Sequence, residues 1–413
     1  MKTSPTHLPS LLSSILFALS ALLLLGIGFL MGFTALFSWL TGEPVQIQQP
    51  ILFIAFGFEA ILLFAAAFFS FQKTLQKPVA DQPSFFPISR LQFLIGTLIA
   101  AGAILTGYLI GSVESVNWLI LPILTIPAVA LPLAVLLGLG SRGLPFGTRW
   151  QTWSVLGLGM SLTPFLLFVL ESVIAILIFV VVAAYLVSQP ERIAELQALS
   201  RQIMLLGPES EEVINLVAPL VTRPSVMVTA LLYIAVLVPA IEELLKPLGV
   251  WLLAGRLNSA GQGFALGALS GAAYGLIETI GVSGQAGEWA NLLFSRIGTG
   301  LLHITTSALM GAAIVTAWRE RRYLHLIGTY FLAVLLHGLW NTFAMLFTFS
   351  MLAELIDQPG RLSTLQPVLI GVMSVLAVIL FLILLISNRR MQNTVPPPGS
   401  ESPIIPHPID QIP

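Results

Sequence analysis

Eight ionisable side chains lie inside long apolar stretches of the sequence, where a charged group is costly. A charge at the centre of a membrane helix costs about 2.5–3.5 kcal/mol on insertion scales and usually marks a functional site. The eight are Glu59, Glu171, Glu242, Glu243, Lys246, Glu278, His303 and His337. The last six fall within residues 227–349 and predict a reaction centre, whereas Glu59 and Glu171 are interpreted as isolated hydrogen-bonding groups between helices.

Glutamate and histidine together allow two kinds of hydrolytic chemistry. A carboxylate and an imidazole can polarise a water molecule as a general base, while a second histidine and an amide stabilise the developing oxyanion. The same side chains can instead hold Zn²⁺, whose bound water becomes the nucleophile, and Glu243, His303 and His337 are then the candidate ligands. The sequence leaves both alternatives open.

Other hydrolytic mechanisms lack the residues that they need. The three aspartates, Asp81, Asp357 and Asp410, lie in loops or in the tail, which excludes an intramembrane aspartyl pair. No histidine is followed by glutamate, so the HExxH zinc motif is absent. The nearest match to a rhomboid-type serine motif, around Ser270, lacks its first glycine. The absence of cysteine excludes a thiol nucleophile, disulfides and cysteine-bound zinc.

Helical spacing places the polar groups on shared faces. Residues four apart on a helix are neighbours, and three such pairs occur: Glu242 with Lys246, His303 with Ser307, and His337 with Asn341. We therefore expect Lys246 to neutralise Glu242. With a rise of about 1.5 Å per residue, the four helices carry their polar groups at similar depths, about 18–24 Å from their cytoplasmic ends. Glycines recur every fourth residue from 263 to 275 and predict close helix packing.

The elements that must position these groups are membrane spans. Of the 413 residues, 56% are hydrophobic and 9% are charged, and the mean hydropathy is +0.94. Soluble domains carry about 25% charged residues, so this composition excludes a soluble globule, a disordered chain and a nucleic-acid-binding protein. Stretches of about 20 apolar residues predict ten spans, near residues 13–39, 50–71, 91–112, 118–139, 153–187, 227–254, 263–282, 297–317, 325–349 and 366–387. The predicted fold is an all-α, polytopic transmembrane bundle of about ten helices.

The distribution of basic residues predicts the orientation of these spans. In the ten-span arrangement, 12 of the 18 Lys and Arg residues fall on one side, five fall on the other, and Lys246 lies within a span. Lysine and arginine are enriched in cytoplasmic loops, so we expect both termini to be cytoplasmic. The fifth span is long enough to be tilted, to extend beyond the bilayer or to break near Pro164.

The pattern of apolar and polar segments predicts five regions. They are an N-terminal five-span membrane region (1–188), an extracytoplasmic amphipathic insertion (189–226), a catalytic four-helix membrane core (227–349), a final span (350–392) and a disordered proline-rich tail (393–413). Apolar residues at helical spacing predict two surface-lying helices in the insertion, with a substrate-docking lid as the alternative.

Four motifs in the core resemble those of the PrsW intramembrane proteases, a family related to the CAAX prenyl endopeptidases and bacteriocin-processing enzymes (the CPBP superfamily). EELLK at 242–246 is similar to the EExxK motif of that family, and YGLIE at 274–278 is similar to FxxxE. HITTS at 303–307 resembles an HxxxS-like motif, and HGLWN at 337–341 resembles HxxWN. Their order and spacing extend the resemblance over about 226–349, whereas the first five spans match no family that we recognise.

The resemblance implies an endopeptidase of the bacterial plasma membrane that cuts membrane-embedded substrates, either single-span membrane proteins or peptides. The catalytic residues that it implies are Glu242, Glu243, Glu278, His303 and His337, with Asn341 as the oxyanion donor. Supporting roles fall to Lys246, Ser307 and Tyr274, the last of which replaces the phenylalanine of the family. Either Glu242 or Glu243 could act as the base, and the implied cofactor, where one is used, is Zn²⁺.

Two other functions use similar residues. A proton-coupled transporter also needs buried Glu, Lys and His, but transporters are commonly built from internal repeats, and no repeat is visible here. A non-catalytic membrane scaffold that binds helical partners is the second alternative. The concentration of polar residues in one half of the chain favours the intramembrane endopeptidase.

Overall fold

The computed structural model describes residues 7–84, 89–207, 210–282, 289–355 and 363–393. Within these ranges no β-strand forms, and helices account for nearly all residues. The α-helices are α1 (Leu8–Thr41), α2 (Gln48–Thr74), α3 (Arg90–Gly111), α4 (Glu114–Gly140), α5 (Arg149–Met160), α6 (Leu162–Val187), α7 (Pro190–Leu206), α8 (Glu211–Val221), α9 (Pro224–Leu232), α10 (Val238–Leu245), α11 (Leu248–Leu253), α12 (Ala260–Val282), α13 (Trp289–Glu320), α14 (Tyr323–Leu355) and α15 (Gln366–Gln392). The predicted disordered tail lies outside the described residues, apart from Asn393.

Ten segments of the described chain are long and apolar enough to cross a membrane. Each overlaps one of the ten predicted spans, so the all-α, polytopic helical bundle is confirmed. Helices α7 and α8 occupy the region predicted as an amphipathic insertion. The side of the membrane on which they lie stays a prediction.

The fifth span is broken between α5 and α6. The backbone of Ser161 leaves the helical region (φ −124°, ψ −79°), and Pro164 has no N–H to bond the carbonyl of Met160. The break lies three residues before Pro164, where a break was one of three alternatives that the sequence left open. The two halves pack differently, because most of α5 is buried whereas α6 buries Thr163 and Leu167 alone along its fully described length.

The sixth span is also broken, which the sequence analysis did not predict. A π-helical turn (Tyr233–Leu237) separates α9 from α10, and a second break separates α10 from α11. Pro239 has no N–H to donate to the carbonyl one helical turn before it, and Pro247 has none for Glu243. These two prolines bound α10 as a short helix between the π turn and α11.

The seventh and eighth spans, α12 and α13, form the packed centre of the bundle. Of their most apolar stretches, 89% and 94% of the residues are buried. A Cβ built on Gly263, Gly267 or Gly271 would overlap a backbone carbonyl oxygen of α13, that of Gly311, Ser307 or His303 respectively. The two backbones therefore approach to a distance that glycine alone permits at these positions, which is the close packing that the stripe predicts.

The N-terminal spans support this pair. Helix α1 packs along α2, and α2, α4 and α5 contact α12, while α13 also contacts α3, α4, α14 and α15. The buried apolar residues of both halves form one continuous core. The polar residues of α10, α12, α13 and α14 are thus held in a bundle to which the first five spans contribute.

Candidate active site

Polar side chains from four different segments meet inside the bundle. They come from α10 and the residue after it (Glu242, Glu243, Lys246), from α12 (Glu278), from α13 (His303) and from α14 (His337). Glu243 and Lys246 are fully buried, His303 and His337 are 1% and 2% exposed, and 32% of the Glu278 side chain is exposed. We call these six residues the Glu–His cluster.

Lys246 lies at the centre of the Glu–His cluster. Its ammonium group donates to Glu243 Oε1 and, over 2.9 Å, to His303 Nδ1, and it lies 3.4 Å from His337 Nδ1. The predicted ion pair with Glu242 is present, with an N–O distance of 3.6 Å, but the contact with Glu243 is closer. Residues three and four apart share a helix face, so sequence spacing alone could not choose between the two glutamates.

Each histidine donates one ring N–H to a carboxylate. His303 Nε2 is 2.7 Å from Glu278 Oε2, and His337 Nδ1 is 2.7 Å from Glu243 Oε1. The histidine rings themselves lie edge to face, with centroids 5.4 Å apart. A carboxylate behind an imidazole fixes its tautomer and orientation and increases its strength as a metal ligand.

Three side chains of the Glu–His cluster could together hold a metal ion. One donor atom each from Glu242, His303 and His337 lies within 4.8 Å of the other two, and all three residues are buried. Glu242 Oε2 is buried with no hydrogen-bond partner among the described residues. The candidate ligand set from the sequence contained Glu243 instead of Glu242. In the structure, Glu243 is bound to Lys246 and His337. His303 Nδ1 accepts from Lys246, so a metal ion on this nitrogen would take the place of the ammonium N–H.

The charges of the cluster do not balance. The ion pairs join three carboxylates, those of Glu242, Glu243 and Glu278, to two permanent cations, Lys246 and Arg296. With both imidazoles neutral, one negative charge is left over in a buried site, where an unpaired charge is strongly disfavoured. Two imidazoles and one carboxylate are also a donor set that catalytic zinc sites use. The residues present therefore fit a bound divalent metal ion.

Arg296 is a site residue that the sequence analysis missed. It was placed among the basic residues of an external loop, but it lies on α13 and pairs with Glu278 at 2.8 Å. Helix α13 begins at Trp289, seven residues before Arg296, and this longer helix carries the guanidinium group to the cluster. Its position two turns before His303 was the available signal, because residues seven apart lie on one helix face.

Glu171 is a second missed residue. The sequence predicts an isolated hydrogen-bonding group, but its carboxyl group lies within electrostatic range of Glu242 and Glu278, which disfavour a negative charge on it, and its Oε1 atom is buried with no hydrogen-bond partner in the described chain. Its backbone carbonyl accepts a hydrogen bond from the Tyr233 hydroxyl at 3.1 Å. Counting the helical rise from residue 153 gives Glu171 a depth of about 27 Å, close to that of Glu278, and this count could have identified it.

The other predicted residues lie beside the cluster. The Tyr274 ring packs edge-on against His303, with centroids 5.2 Å apart, and lies 5.8 Å from the Lys246 ammonium group. Asn341 donates its side-chain amide to the carbonyl of Ile234 at 2.9 Å, not to a cluster residue. Ser307 is fully buried and its hydroxyl has no hydrogen-bond partner within the described ranges.

Side chains from other helices satisfy the carbonyl groups around α10. Asn341 donates to Ile234 in the π turn, Tyr330 donates to Ala240 at 2.7 Å, and Ser270 donates to Lys246 at 2.5 Å. Ile234 is the residue whose π-type bond would need the missing N–H of Pro239. These bonds fix α10 against α12 and α14 and so position Glu242 and Glu243.

Comparison with known proteins assigns a family to this arrangement. The PrsW-protease family model, described as PrsW family intramembrane metalloprotease, matches residues 149–385, which is more than half of the chain. The match contains all six residues of the Glu–His cluster together with Glu171 and Arg296. No curated protein and no solved structure matches the chain.

Proposed function

Because the chain belongs to the PrsW family of intramembrane metalloproteases, we propose that the Glu–His cluster is its hydrolytic centre. The protein is an integral membrane endopeptidase, and the transporter and scaffold alternatives give way to that assignment. The observation that carries the proposal is the meeting of four separate motifs in one buried cluster of carboxylates and imidazoles.

The proposed metal ligands are Glu242, His303 and His337, and the proposed metal is Zn²⁺. Their donor atoms lie close together, Glu242 Oε2 lacks a hydrogen bond among the described residues, and the cluster has an excess negative charge. Zn²⁺, when bound, supplies a water of lowered pKa and polarises the scissile carbonyl group.

The remaining residues of the cluster orient the ligands and move the proton. Glu278, which is paired with Arg296, holds the Nε2–H of His303, and Glu243 holds the Nδ1–H of His337. Glu243 Oε2 is buried without a hydrogen-bond partner in the described structure, and this is the atom that would accept the proton of the attacking water and return it to the leaving amine. Lys246 pairs with Glu243 and would offer an N–H to the developing oxyanion.

Asn341 has a different proposed role from the one that the sequence implied. Its amide donates to the carbonyl of Ile234, so we assign it to the positioning of α10 and not to the oxyanion. Tyr274 packs against His303 and limits the movement of that ring. The Ser307 hydroxyl has no hydrogen-bond partner among the described residues, and we assign it no chemical step.

The substrate class and the sidedness complete the proposal. A membrane-embedded protease acts on membrane substrates, and we propose single-span proteins or peptides that are cut in the outer half of the bilayer. The distribution of basic residues supports cytoplasmic termini. The bacterial plasma membrane as the location, and the wider relation to CAAX and bacteriocin-processing enzymes, are supported by the motifs at 242–246, 274–278, 303–307 and 337–341.

The test is cleavage of a panel of single-span substrates by the purified full-length protein in liposomes. Wild type is compared with Glu242→Gln, Glu243→Gln and His337→Ala, each with and without a strong chelator. His325→Ala is the matched control for His337→Ala, because His325 is an exposed histidine near the start of α14, the helix that also carries His337. We expect cleavage to disappear in the three cluster variants, to persist in His325→Ala, and to return after chelation when Zn²⁺ is added.

Two outcomes would contradict the proposal. Undiminished cleavage by a folded Glu242→Gln, Glu243→Gln double variant would remove the cluster from the reaction. Cleavage that depends on the cluster but is indifferent to the chelator would replace the metal with a water activated by glutamate alone.

A further inference from the structure

The Glu–His cluster is enclosed by packed helices on one side and by weakly packed helices on the other. Helix α6 buries no residue beyond Leu167, and neither α9 nor the π turn buries any of its residues. Of the most apolar stretches of the fifth and sixth spans, 6% of the residues are buried, against 89% and 94% for the seventh and eighth. We call α6 from Phe168 onward, together with α9, the open side of the site.

Glu171 is the carboxylate that the open side carries to the cluster. It follows Leu167 by one helical turn on the same face of α6, and α6 packs against α10 and α12, the helices of Glu242 and Glu278. The groups of these helices that bear on Glu171 are Glu242, Glu278 and, most weakly, Lys246. The cations of the cluster have other partners, because Lys246 bonds Glu243 and His303 and Arg296 pairs with Glu278.

The Oε1 atom of Glu171 is buried with no hydrogen-bond partner among the described residues. Most buried hydrogen-bond acceptors in proteins have a partner, and an acceptor without one calls for an explanation. The backbone carbonyl of the same residue is bonded to Tyr233, which holds α6 beside the π turn at this height. An acceptor fixed beside the reaction centre, on the side with the least packing, is placed to receive a donor from a bound molecule.

The chemistry of the substrate supplies such a donor. In a membrane helix every backbone N–H is bonded to a carbonyl group of the same segment. A peptide bond can be attacked only after that segment is locally unwound, and unwinding leaves N–H groups without partners in an apolar medium. A carboxyl oxygen accepts a hydrogen bond from such a group whether the acid is ionised or protonated.

We propose that the substrate segment reaches the Glu–His cluster through the open side, between α6 and α9, and that Glu171 accepts a hydrogen bond from a backbone N–H freed beside the scissile bond. This inference rests on the proposed function, because it names a substrate-binding residue of the same site. Glu171 thereby favours the unwound form of the substrate over the helical form.

The experiment uses the full-length protein in liposomes and a synthetic single-span peptide. The apolar segment of the peptide has about 20 residues, mostly Leu and Ala, with two glycines in its outer third and no basic residue. Binding is measured in the Glu243→Gln background and cleavage in the background with Glu243 intact. Glu171→Gln, which keeps one oxygen acceptor, and Glu171→Ala are compared with Glu59→Gln, because Glu59 is a buried glutamate outside the cluster whose Oε1 atom also lacks a hydrogen-bond partner among the described residues.

We expect Glu171→Ala to weaken binding and to raise KM by up to about tenfold, the effect of one hydrogen bond, with kcat changed less. Glu171→Gln falls between wild type and Glu171→Ala, and Glu59→Gln matches wild type. Replacing single amides of the peptide by esters then locates the donor. One ester near the two glycines weakens binding in the Glu243→Gln background by the same factor, and has no further effect once Glu171→Ala is present.

Three results would overturn the inference. They are binding that is unchanged by Glu171→Ala, an equal loss in Glu59→Gln, and an effect of Glu171 that appears only with peptides carrying a basic side chain. Failure of the proposed function looks different, since binding and its dependence on Glu171 would remain while no variant, including wild type, cleaved the peptide.

Discussion

The α12–α13 pair and the open side border the same cluster but are built differently. In the pair, three glycines of one helix lie against carbonyl oxygens of the other, and nearly every residue of the apolar stretch is buried. On the open side, α6 beyond Leu167 and the whole of α9 bury nothing. The packed side fixes His303 and Glu278 to each other, whereas the open side brings a carboxylate to the site without closing it. A site that must hold its catalytic groups rigidly and still admit a membrane segment needs both kinds of packing.

The largest effect should come from removing a catalytic group on the packed side. We expect His303→Ala to lower kcat/KM by about 10³-fold, because the imidazole is lost together with its bonds to Lys246 and Glu278. Thr316→Ala, on the same helix but about 20 Å away, should leave the cleavage rate unchanged. Equal losses in both variants would mean that α13 is merely sensitive to substitution.

A leucine-to-alanine substitution should destabilise the protein much more on the packed side than on the open side. Leu302 on α13 is 0% exposed, whereas Leu177 on α6 is 59% exposed. We expect Leu302→Ala to lower the free energy of unfolding by about 2–5 kcal/mol and Leu177→Ala by less than about 0.5 kcal/mol. Unfolding in detergent, followed by circular dichroism, measures both. Similar values for the two variants would show that the open side is packed as firmly as the centre.

The glycine contacts of α12 allow a finer test. A Cβ at position 271 would overlap the carbonyl oxygen of His303, whereas a Cβ at position 275 would make an ordinary 3.6 Å contact with His303 Cδ2. Gly271→Ala should therefore cost about 1–3 kcal/mol and reduce cleavage by displacing His303. Gly275→Ala should be neutral or stabilising by up to about 1 kcal/mol, and a comparable loss of stability in that variant would rule out the close approach as the cause.

The smallest effect should come from removing one hydrogen bond to α10. Tyr330 donates to the carbonyl of Ala240 in α10, so Tyr330→Phe should lower the free energy of unfolding by about 1 kcal/mol. Phe331→Leu is the control, because Phe331 is the next residue and its side chain is 64% exposed. Thermal unfolding in detergent checks the stabilities, and an unchanged midpoint for Tyr330→Phe would show that this bond does not hold α10.

The fold was predictable from the sequence because membrane spans are recorded in local composition. All ten spans appear where apolar runs place them, and the break at Ser161 falls near Pro164, where the sequence allowed a break as one alternative. The sixth span was predicted as one helix. Its π turn depends on Pro239 together with Asn341, a residue of α14 that donates to Ile234, and the hydrogen bond from α14 cannot be read from the local pattern.

The sequence allowed individual residues of the candidate site to be identified, but not the contacts between them. Glutamates and histidines in apolar runs are conspicuous, and the structure brings Glu242, Glu243, Lys246, Glu278, His303 and His337 together. Their pairing was not predictable, because Lys246 contacts both glutamates of α10 and spacing does not rank them. Arg296 and Glu171 were missed since their partners lie on other helices.

The π turn at Tyr233–Leu237 holds one residue more than an α-helical turn, and the π conformation that accommodates this residue determines which way the face of α10 points. Each residue of an α-helix rotates the chain by about 100°, and a π turn accommodates one extra residue in a single turn. Removing one residue from this segment would convert it to α-helix and leave the face of α10 where it is, whereas converting the segment to α-helix at unchanged length would rotate α10 by about 100° against α9, so that Glu242 and Glu243 no longer face the histidines. The π turn therefore sets the rotation, relative to α9, of the face of α10 that carries Glu242 and Glu243.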